Sequence, residues 1–151
     1  MSTVLSPAEV LELLPQREPF RFVDRIVEID DEHVVAEYEW RREADFYRGH
    51  FPGRPVTPGV LIIESMAQAG VTALGIYLQA KEENAEPPGM LTVFAEANVE
   101  FTGLVEPGSR VRIEGRKVFF RRRKLRAEVE MRLLDGTLVC AGTLAGVGVP
   151  Q

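Results

Sequence analysis

The sequence is poor in the residues that build disulfides and metal centres. It has one cysteine, Cys140, and two histidines, His33 and His50, in 151 residues. One cysteine excludes a disulfide within the chain, and no pair of these residues has the spacing of a metal site. We therefore expect no metal, and we expect a reducing compartment, the cytoplasm.

A basic surplus is also lacking, since 18 Lys and Arg stand against 23 Asp and Glu, a net charge of -5. This balance argues against general nucleic-acid binding. Residues 1–16 lack the basic start of a signal peptide, and glutamates interrupt their apolar run. The apolar run 60–80 contains several polar residues, so we expect no membrane span.

The chain is 45% apolar and 27% charged, which is typical of a globular protein. Its length suits a single domain over residues 1–151. A capping box at Ser6 and Glu9, with Pro7, predicts a short helix that Pro15 ends. His33 is interpreted as a solvated turn residue. The predicted elements are listed in chain order: the short helix, strands over 20–29 and 34–41, a long helix from 57 to 81, a polar loop over 82–89, and strands over 91–101, 110–114, 124–133 and 137–147. This order indicates an α+β fold with an antiparallel sheet of about six strands around one long helix.

The long helix carries an unusual polar stripe. We expect Thr57 to cap it and Pro58 to take its first position. Glu64, Gln68 and Thr72 follow at a spacing that stacks them on one face. In one interpretation these groups are satisfied internally or face a subunit interface. In the other they line a narrow apolar tunnel, where burial raises the pKa of Glu64 and makes it a usable general acid.

The loop before this helix presents His50. Its prolines fix the backbone and its glycines allow sharp bends, as suits a loop that aims one side chain. A lone loop histidine is weak evidence of catalysis, but one that converges with a buried carboxylate on a helix start is a better candidate. The N–H of Gly59, in the first turn at the positive end of the dipole, could polarise a carbonyl oxygen.

Three segments carry a family resemblance. GHFPGRPVTPGVLIIESMAQ closely resembles the signature of the hot-dog-fold 3-hydroxyacyl-[acyl-carrier-protein] dehydratases, in the branch with Glu on the central helix. LPQREPFRFVDRIVE and VEFTGLVEPGSRVRIE are similar to that family's opening segment and third-to-fourth strand region. The chain departs from the family pattern at Gln16, where histidine is usual, at Thr57, where methionine is frequent, and at Thr102 and Gly103, where arginines are frequent.

The resemblance implies a hot-dog fold and a homodimer joined edge to edge, often assembled further into a trimer of dimers. It implies an active site at the dimer interface, with His50 and Glu64 as catalytic residues from different subunits. Gly59 then binds the substrate carbonyl, and Gln68 orients the acid. The implied reaction is dehydration of a 3-hydroxyacyl thioester, carried on the phosphopantetheine of an acyl carrier protein, to a trans-2-enoyl thioester and water. It needs no cofactor and serves fatty-acid or related polyene- or polyketide-type synthesis.

Two alternatives stay open. The first is a hot-dog acyl thioesterase or CoA-linked enoyl hydratase, and the second is a catalytically silent acyl-binding or scaffold subunit. A basic cluster within residues 116–126 has three interpretations: charges on a solvated hairpin that protect a sheet edge, a dock for an acidic carrier protein, or contact with nucleic acid. The docking candidates are Arg121, Arg122, Arg123 and Lys124.

Overall fold

The computed structural model describes residues 2–82 and 90–150. Its elements are α1 (Pro7–Leu13), β1 (Arg25–Ile29), β2 (His33–Glu39), a 3₁₀ turn (Asp45–Arg48), a central helix, β3 (Met90–Phe101), β4 (Arg110–Arg121), β5 (Lys124–Leu133) and β6 (Leu138–Pro150). The central helix has three parts: α2 (Gly59–Ala67), a π-helical turn (Gln68–Thr72) and α3 (Ala73–Lys81). The predicted order of elements is confirmed, and the loop predicted over 82–89 lies outside the described residues beyond Glu82.

Helix α1 begins as its capping box predicts. The Glu9 N–H donates to Ser6 Oγ at 3.2 Å, and the Ser6 N–H donates to Glu9 Oε1 at 2.9 Å. Pro7 takes the first helical position, where a missing N–H costs nothing. Val10 and Leu14 are fully buried, so the helix is anchored to the core by one apolar face.

The six strands form one antiparallel sheet in the order β1-β2-β4-β5-β6-β3. β6 lies between β5 and β3, an interior position that suits its small, uncharged residues. β3 is an edge strand, and four of its large apolar side chains are at least two-fifths exposed: Leu91 (40%), Val93 (47%), Phe94 (48%) and Phe101 (47%). This long apolar edge has no neighbour within the described chain.

The first strand is shorter than predicted. It begins at Arg25, not Phe20, because the backbone at Phe22 bonds to the central helix, and pairing with β2 starts only at the Asp24 N–H, which donates to the Glu37 carbonyl at 2.9 Å. The Phe22 N–H donates to Gln68 Oε1 at 2.7 Å, and the Phe22 carbonyl accepts from Ser65 Oγ at 2.8 Å. The β-rich composition of residues 20–22 therefore serves a long-range contact, not a strand.

The central helix packs closely against the sheet at its π-helical turn. A Cβ added to Gly70 would lie 2.6 Å and 2.9 Å from the two Cγ atoms of Val129 on β5. A Cβ on Gly115 of β4 would lie 2.7 Å from Gly70 Cα. Both Gly70 and Gly75 are unfavourable in a helix by about 1 kcal/mol against alanine, and close approach to the sheet explains Gly70. Close approach does not explain Gly75, where an added Cβ would meet only Leu125 Cδ2 at 3.9 Å.

The start of the central helix also differs from the prediction. Pro58 is the N-cap and Gly59 the first helical residue, and no side chain caps the helix. The Thr57 hydroxyl is instead 2.7 Å from Tyr47 Oη. Within the described residues, Gly59–Lys81 is the single helix long and apolar enough to span a membrane, but 61% of its apolar window is buried. It is the core helix of the sheet.

His33 is more than a solvated turn residue. Its Nδ1 lies 2.9 Å from Asp30 Oδ2 and its Nε2 lies 3.0 Å from Glu28 Oε1. Carboxylate oxygens only accept, so protonation of the imidazole, which makes both ring nitrogens donors, strengthens these two contacts. The hydrogen bonds to Glu28 and Asp30 accordingly raise the pKa of His33.

Candidate active site

His50 lies in a tightly bonded loop. Its N–H donates to the Phe46 carbonyl at 3.1 Å, an i to i−4 bond that follows the 3₁₀ turn, and its carbonyl accepts from the Val56 N–H at 2.9 Å. Between these points, the Arg54 N–H donates to the Phe51 carbonyl at 2.9 Å and closes a turn. The loop is fixed on both sides of His50, as a loop that aims one side chain requires.

The imidazole of His50 is held in one tautomer. Nδ1 is 2.9 Å from the Val56 carbonyl oxygen. A carbonyl only accepts, so Nδ1 carries the proton, and neutral His50 keeps a lone pair on Nε2. The ring is partly buried and stacks on Phe51, with centroids 4.2 Å apart and planes 24° apart. This arrangement suits a general base that acts through Nε2.

Gly59 opens the central helix beneath an aromatic ring. A Cβ at this position would lie 3.0 Å from Phe101 Cζ, so a larger residue would push against Phe101 of β3. The N–H of a first helical residue has no acceptor within its helix and lies at the positive end of the helix dipole. The geometry leaves this N–H suited to a carbonyl or oxyanion.

Glu64 and Gln68 meet one turn further along the same helix. Gln68 is fully buried, and its Nε2 donates to Glu64 Oε2 at 2.8 Å and to the Phe20 carbonyl at 2.9 Å. Its Oε1 accepts from the Phe22 N–H at 2.7 Å, so every polar atom of the amide has a partner. Burial raises the pKa of Glu64, and the hydrogen bond from Gln68 opposes this only in part. The direction expected for Glu64 is confirmed.

The structure brings Glu64 and Gln68 together but leaves His50 apart from them. Over residues 2–82 and 90–150, His50 and Glu64 form neither a hydrogen bond nor an ion pair with each other. Each chain thus carries a histidine on a loop and a carboxyl group on a helix, with no hydrogen bond between the two side chains.

Two further groups at this site were not predicted as site residues. Ser65 binds the Phe22 carbonyl and helps hold the segment that contacts Gln68. Its place beside the polar stripe was a usable signal. Phe101, which covers Gly59, lies 42 positions further along the chain, and no local pattern connects the two.

The basic hairpin between β4 and β5 divides into two parts. Lys124 Nζ lies 3.5 Å from Glu96 Oε1, and Arg126 binds the same carboxylate at 2.6 Å. Arg121 and Arg122 are exposed. Both strands of the hairpin are interior in the strand order, but β4 pairs with β2 only as far as Arg116. The stretch 117–121 of β4 is therefore not paired with β2, and the interpretations of the basic charges stay predictions.

Known proteins are similar in sequence to this chain over most of its length. Residues 14–144 match the FabA-like domain family. A 3-hydroxyacyl-[acyl-carrier-protein] dehydratase FabZ of Lactococcus lactis subsp. cremoris is 37% identical over 142 residues, which cover 93% of this chain and 92% of the relative. The FabZ of Streptococcus pyogenes serotype M5 is 41% identical over 138 residues, which cover 90% and 93%.

Solved structures share the fold. The dehydratase heterocomplex ApeI:P from Xenorhabdus doucetiae matches with a TM-score of 0.76 at 20% identity, over 99% of this chain and 94% of that chain. Thioesterase HI1161 from Haemophilus influenzae matches with a TM-score of 0.68 at 14% identity, over the same shares. These likenesses concern the fold alone, and they confirm the predicted hot-dog fold. With its matched domain and its close relatives, this chain belongs to the FabA-like domain family.

Proposed function

We propose that this protein is a dehydratase that converts a 3-hydroxyacyl thioester, carried on acyl carrier protein, into a trans-2-enoyl thioester and water. The relatives named FabZ support this reaction. The structural observation that carries it is the hydrogen bond from His50 Nδ1 to the Val56 carbonyl, which leaves Nε2 as a base. An acid of raised pKa, Glu64, is the complementary group that a dehydration needs.

Three groups perform the proposed reaction. His50 Nε2 removes the C2 proton, and the electrons of that C–H bond move toward the thioester carbonyl. The Gly59 N–H and the helix dipole stabilise the negative charge that develops on the carbonyl oxygen. The electrons then form the C2–C3 double bond as the C3–O bond breaks. Protonated Glu64 gives its proton to the departing hydroxyl, which leaves as water. Gln68 keeps the Glu64 carboxyl in position.

The complete site needs a second copy of this chain. The exposed apolar edge of β3 suits edge-to-edge pairing, because a long unpaired apolar strand is otherwise a site of aggregation. In the proposed homodimer, His50 of one subunit works with Glu64 of the other, which agrees with the lack of a hydrogen bond between these two side chains within one described chain. Assembly into a trimer of dimers stays a prediction from the family resemblance.

The acyl carrier protein is the proposed partner, and the β4–β5 hairpin is its proposed dock. Arg121 and Arg122 are exposed, whereas Lys124 is joined to Glu96. Arg122 and Arg123 have φ of 51° and 62°, a conformation in which asparagine or glycine costs less. Arginine at such positions costs backbone strain, which favours a role for its positive charge. An acidic carrier protein with its phosphopantetheine phosphate would complement this charge.

A thioesterase is the second candidate, because structures of that activity share the fold. A thioesterase aims an acid or base at a water on the carbonyl and has no need of a loop histidine completed by Glu64. A silent scaffold subunit has no use for His50, Gly59 and Glu64 together. A CoA-linked enoyl hydratase would use the same three groups, and it differs in its carrier.

One incubation distinguishes these functions. The protein is mixed with a 3-hydroxyacyl thioester on carrier protein or on CoA, and conjugated-enoyl absorbance and free thiol are followed together. We expect enoyl formation without thiol release, and faster turnover on the carrier. Thiol release without enoyl formation would identify a thioesterase, and neither signal would favour the scaffold.

Two expectations remain predictions. The proposed reaction uses only groups of the protein and the phosphopantetheine thioester, so no cofactor is required. Among residues 2–82 and 90–150, no cluster of three or more His, Cys, Asp or Glu could hold a metal ion. The cytoplasm remains the expected location.

A further inference from the structure

A buried pair of hydroxyls closes the loop that carries His50. Tyr47 Oη and Thr57 Oγ1 are 2.7 Å apart, and the two residues are only 6% and 5% exposed. Tyr47 belongs to the 3₁₀ turn before His50, and Thr57 comes two residues before the helix start. A buried hydroxyl without a partner is costly, so each of these groups requires the other.

The peptide unit between Val56 and Thr57 connects this pair to His50. Its carbonyl, on Val56, accepts the hydrogen bond from His50 Nδ1 at 2.9 Å. Its N–H, on Thr57, donates to the Val105 carbonyl at 2.9 Å. The unit is planar, so rotating it would disturb both hydrogen bonds at once. The side chain of Thr57 is a further anchor of this peptide unit, because its hydroxyl is hydrogen-bonded to the Tyr47 hydroxyl.

We propose that Tyr47 and Thr57 are positioning residues, which fix the tautomer and direction of His50 through the Val56 carbonyl. Neither needs to touch the substrate. The hydroxyl of Thr57 is not used to cap the central helix, which leaves loop closure as its role. The catalytic consequence rests on the proposed function, but the effect on His50 itself does not.

The tautomer of His50 can be measured without any substrate. The chain has two histidines, so an imidazole ¹⁵N spectrum contains two ring systems, and His33 is an internal reference. In the unaltered protein we expect His50 to show the Nδ1–H tautomer. In Tyr47→Phe and in Thr57→Val, we expect its two nitrogen shifts to converge as the second tautomer becomes populated, while the His33 signals stay in place.

The variants that change the His50 tautomer should also be the variants that lose turnover. We expect kcat to fall by about 10-fold to 100-fold in both variants, with little change in KM. The reason is that even a small misplacement of a catalytic group slows the chemical step. Thr57→Ser keeps the hydroxyl and should retain both tautomer and rate. The matched control is Tyr77→Phe, which removes a tyrosine hydroxyl from the buried face of α3 and should leave both unchanged.

Combining Tyr47→Phe with Thr57→Val tests whether the pair acts as a unit, and the double variant should be no slower than the worse single one. Unchanged His50 signals in the folded single variants would overturn the proposal, whatever the rates. A shift of those signals in a protein that dehydrates no thioester would instead support the positioning role and refute the proposed function.

Discussion

The contact between the central helix and the sheet predicts opposite effects for one substitution at two positions. Alanine is favoured over glycine in a helix by about 1 kcal/mol. At Gly75 the added methyl group would have only Leu125 Cδ2 near it, at 3.9 Å. We therefore expect Gly75→Ala to raise the free energy of unfolding by about 1 kcal/mol.

At Gly70 the same methyl group would collide with Val129. Both Cγ atoms of Val129 would lie within 3 Å of it, and a β-branched side chain has little freedom to turn away. The helix cannot easily shift, because its backbone already lies against Gly115 of β4. Overpacking of this kind costs about 1–3 kcal/mol, which exceeds the gain in helix propensity. We expect Gly70→Ala to lower the free energy of unfolding by up to about 2 kcal/mol.

Urea unfolding at one fixed protein concentration would measure both effects, since oligomer stability depends on concentration. Val129→Ala supplies the control, because it removes the two colliding methyl groups. Combined with Gly70→Ala, it should destabilise by less than the sum of the two single changes. Equal stabilisation by Gly70→Ala and Gly75→Ala would refute the close approach.

Three further predictions concern charge. His33 has a raised pKa, so its stabilising contribution is full below the ordinary histidine pKa and is lost as pH rises through the raised value. In urea unfolding across this pH range, the free energy of unfolding should therefore fall more steeply in the unaltered protein than in His33→Gln. Glu64→Gln should lower turnover by about 10²-fold or more. Because the pKa of Glu64 is raised, the free energy of unfolding should fall less with rising pH in Glu64→Gln than in the unaltered protein. Identical pH profiles of the two proteins would count against burial of the carboxyl. Reversing Arg121 and Arg122 to Glu should weaken turnover of carrier-bound substrate and spare a short pantetheine analogue, with Arg110→Glu at the other end of β4 as control; equal loss on both substrates would argue against docking there.

Features set by neighbouring residues were predictable from the sequence. The capping box at Ser6 and Glu9 depends on residues three apart, and the structure has it as predicted. Asp-Gly is a strong hairpin signal, and a turn is present at Asp135-Gly136, where Gly136 takes a φ of 95° that suits glycine. The end of the central helix at Lys81 followed from the change in polarity beyond it.

Features set by distant residues were not predictable. Thr57 has the composition of a helix cap, but its hydroxyl bonds to Tyr47 because the loop folds back on itself. Phe22 looks like part of a strand, but Gln68, 46 residues away, takes its N–H. The apolar residues of β3 alternate as in a half-buried strand, yet several are exposed because β3 lies at the edge of the sheet.

Mixing the two inactive variants tests the shared catalytic pair most directly. His50→Ala and Glu64→Gln are each purified, unfolded and refolded together in equal amounts, and dehydration is compared with that of each variant alone. If each site takes His50 from one subunit and Glu64 from the other, half of the dimers are mixed and about one site in four is intact, so about a quarter of the activity should return. No gain over the separate variants, in a mixture shown to contain mixed dimers, would contradict a site built from both subunits.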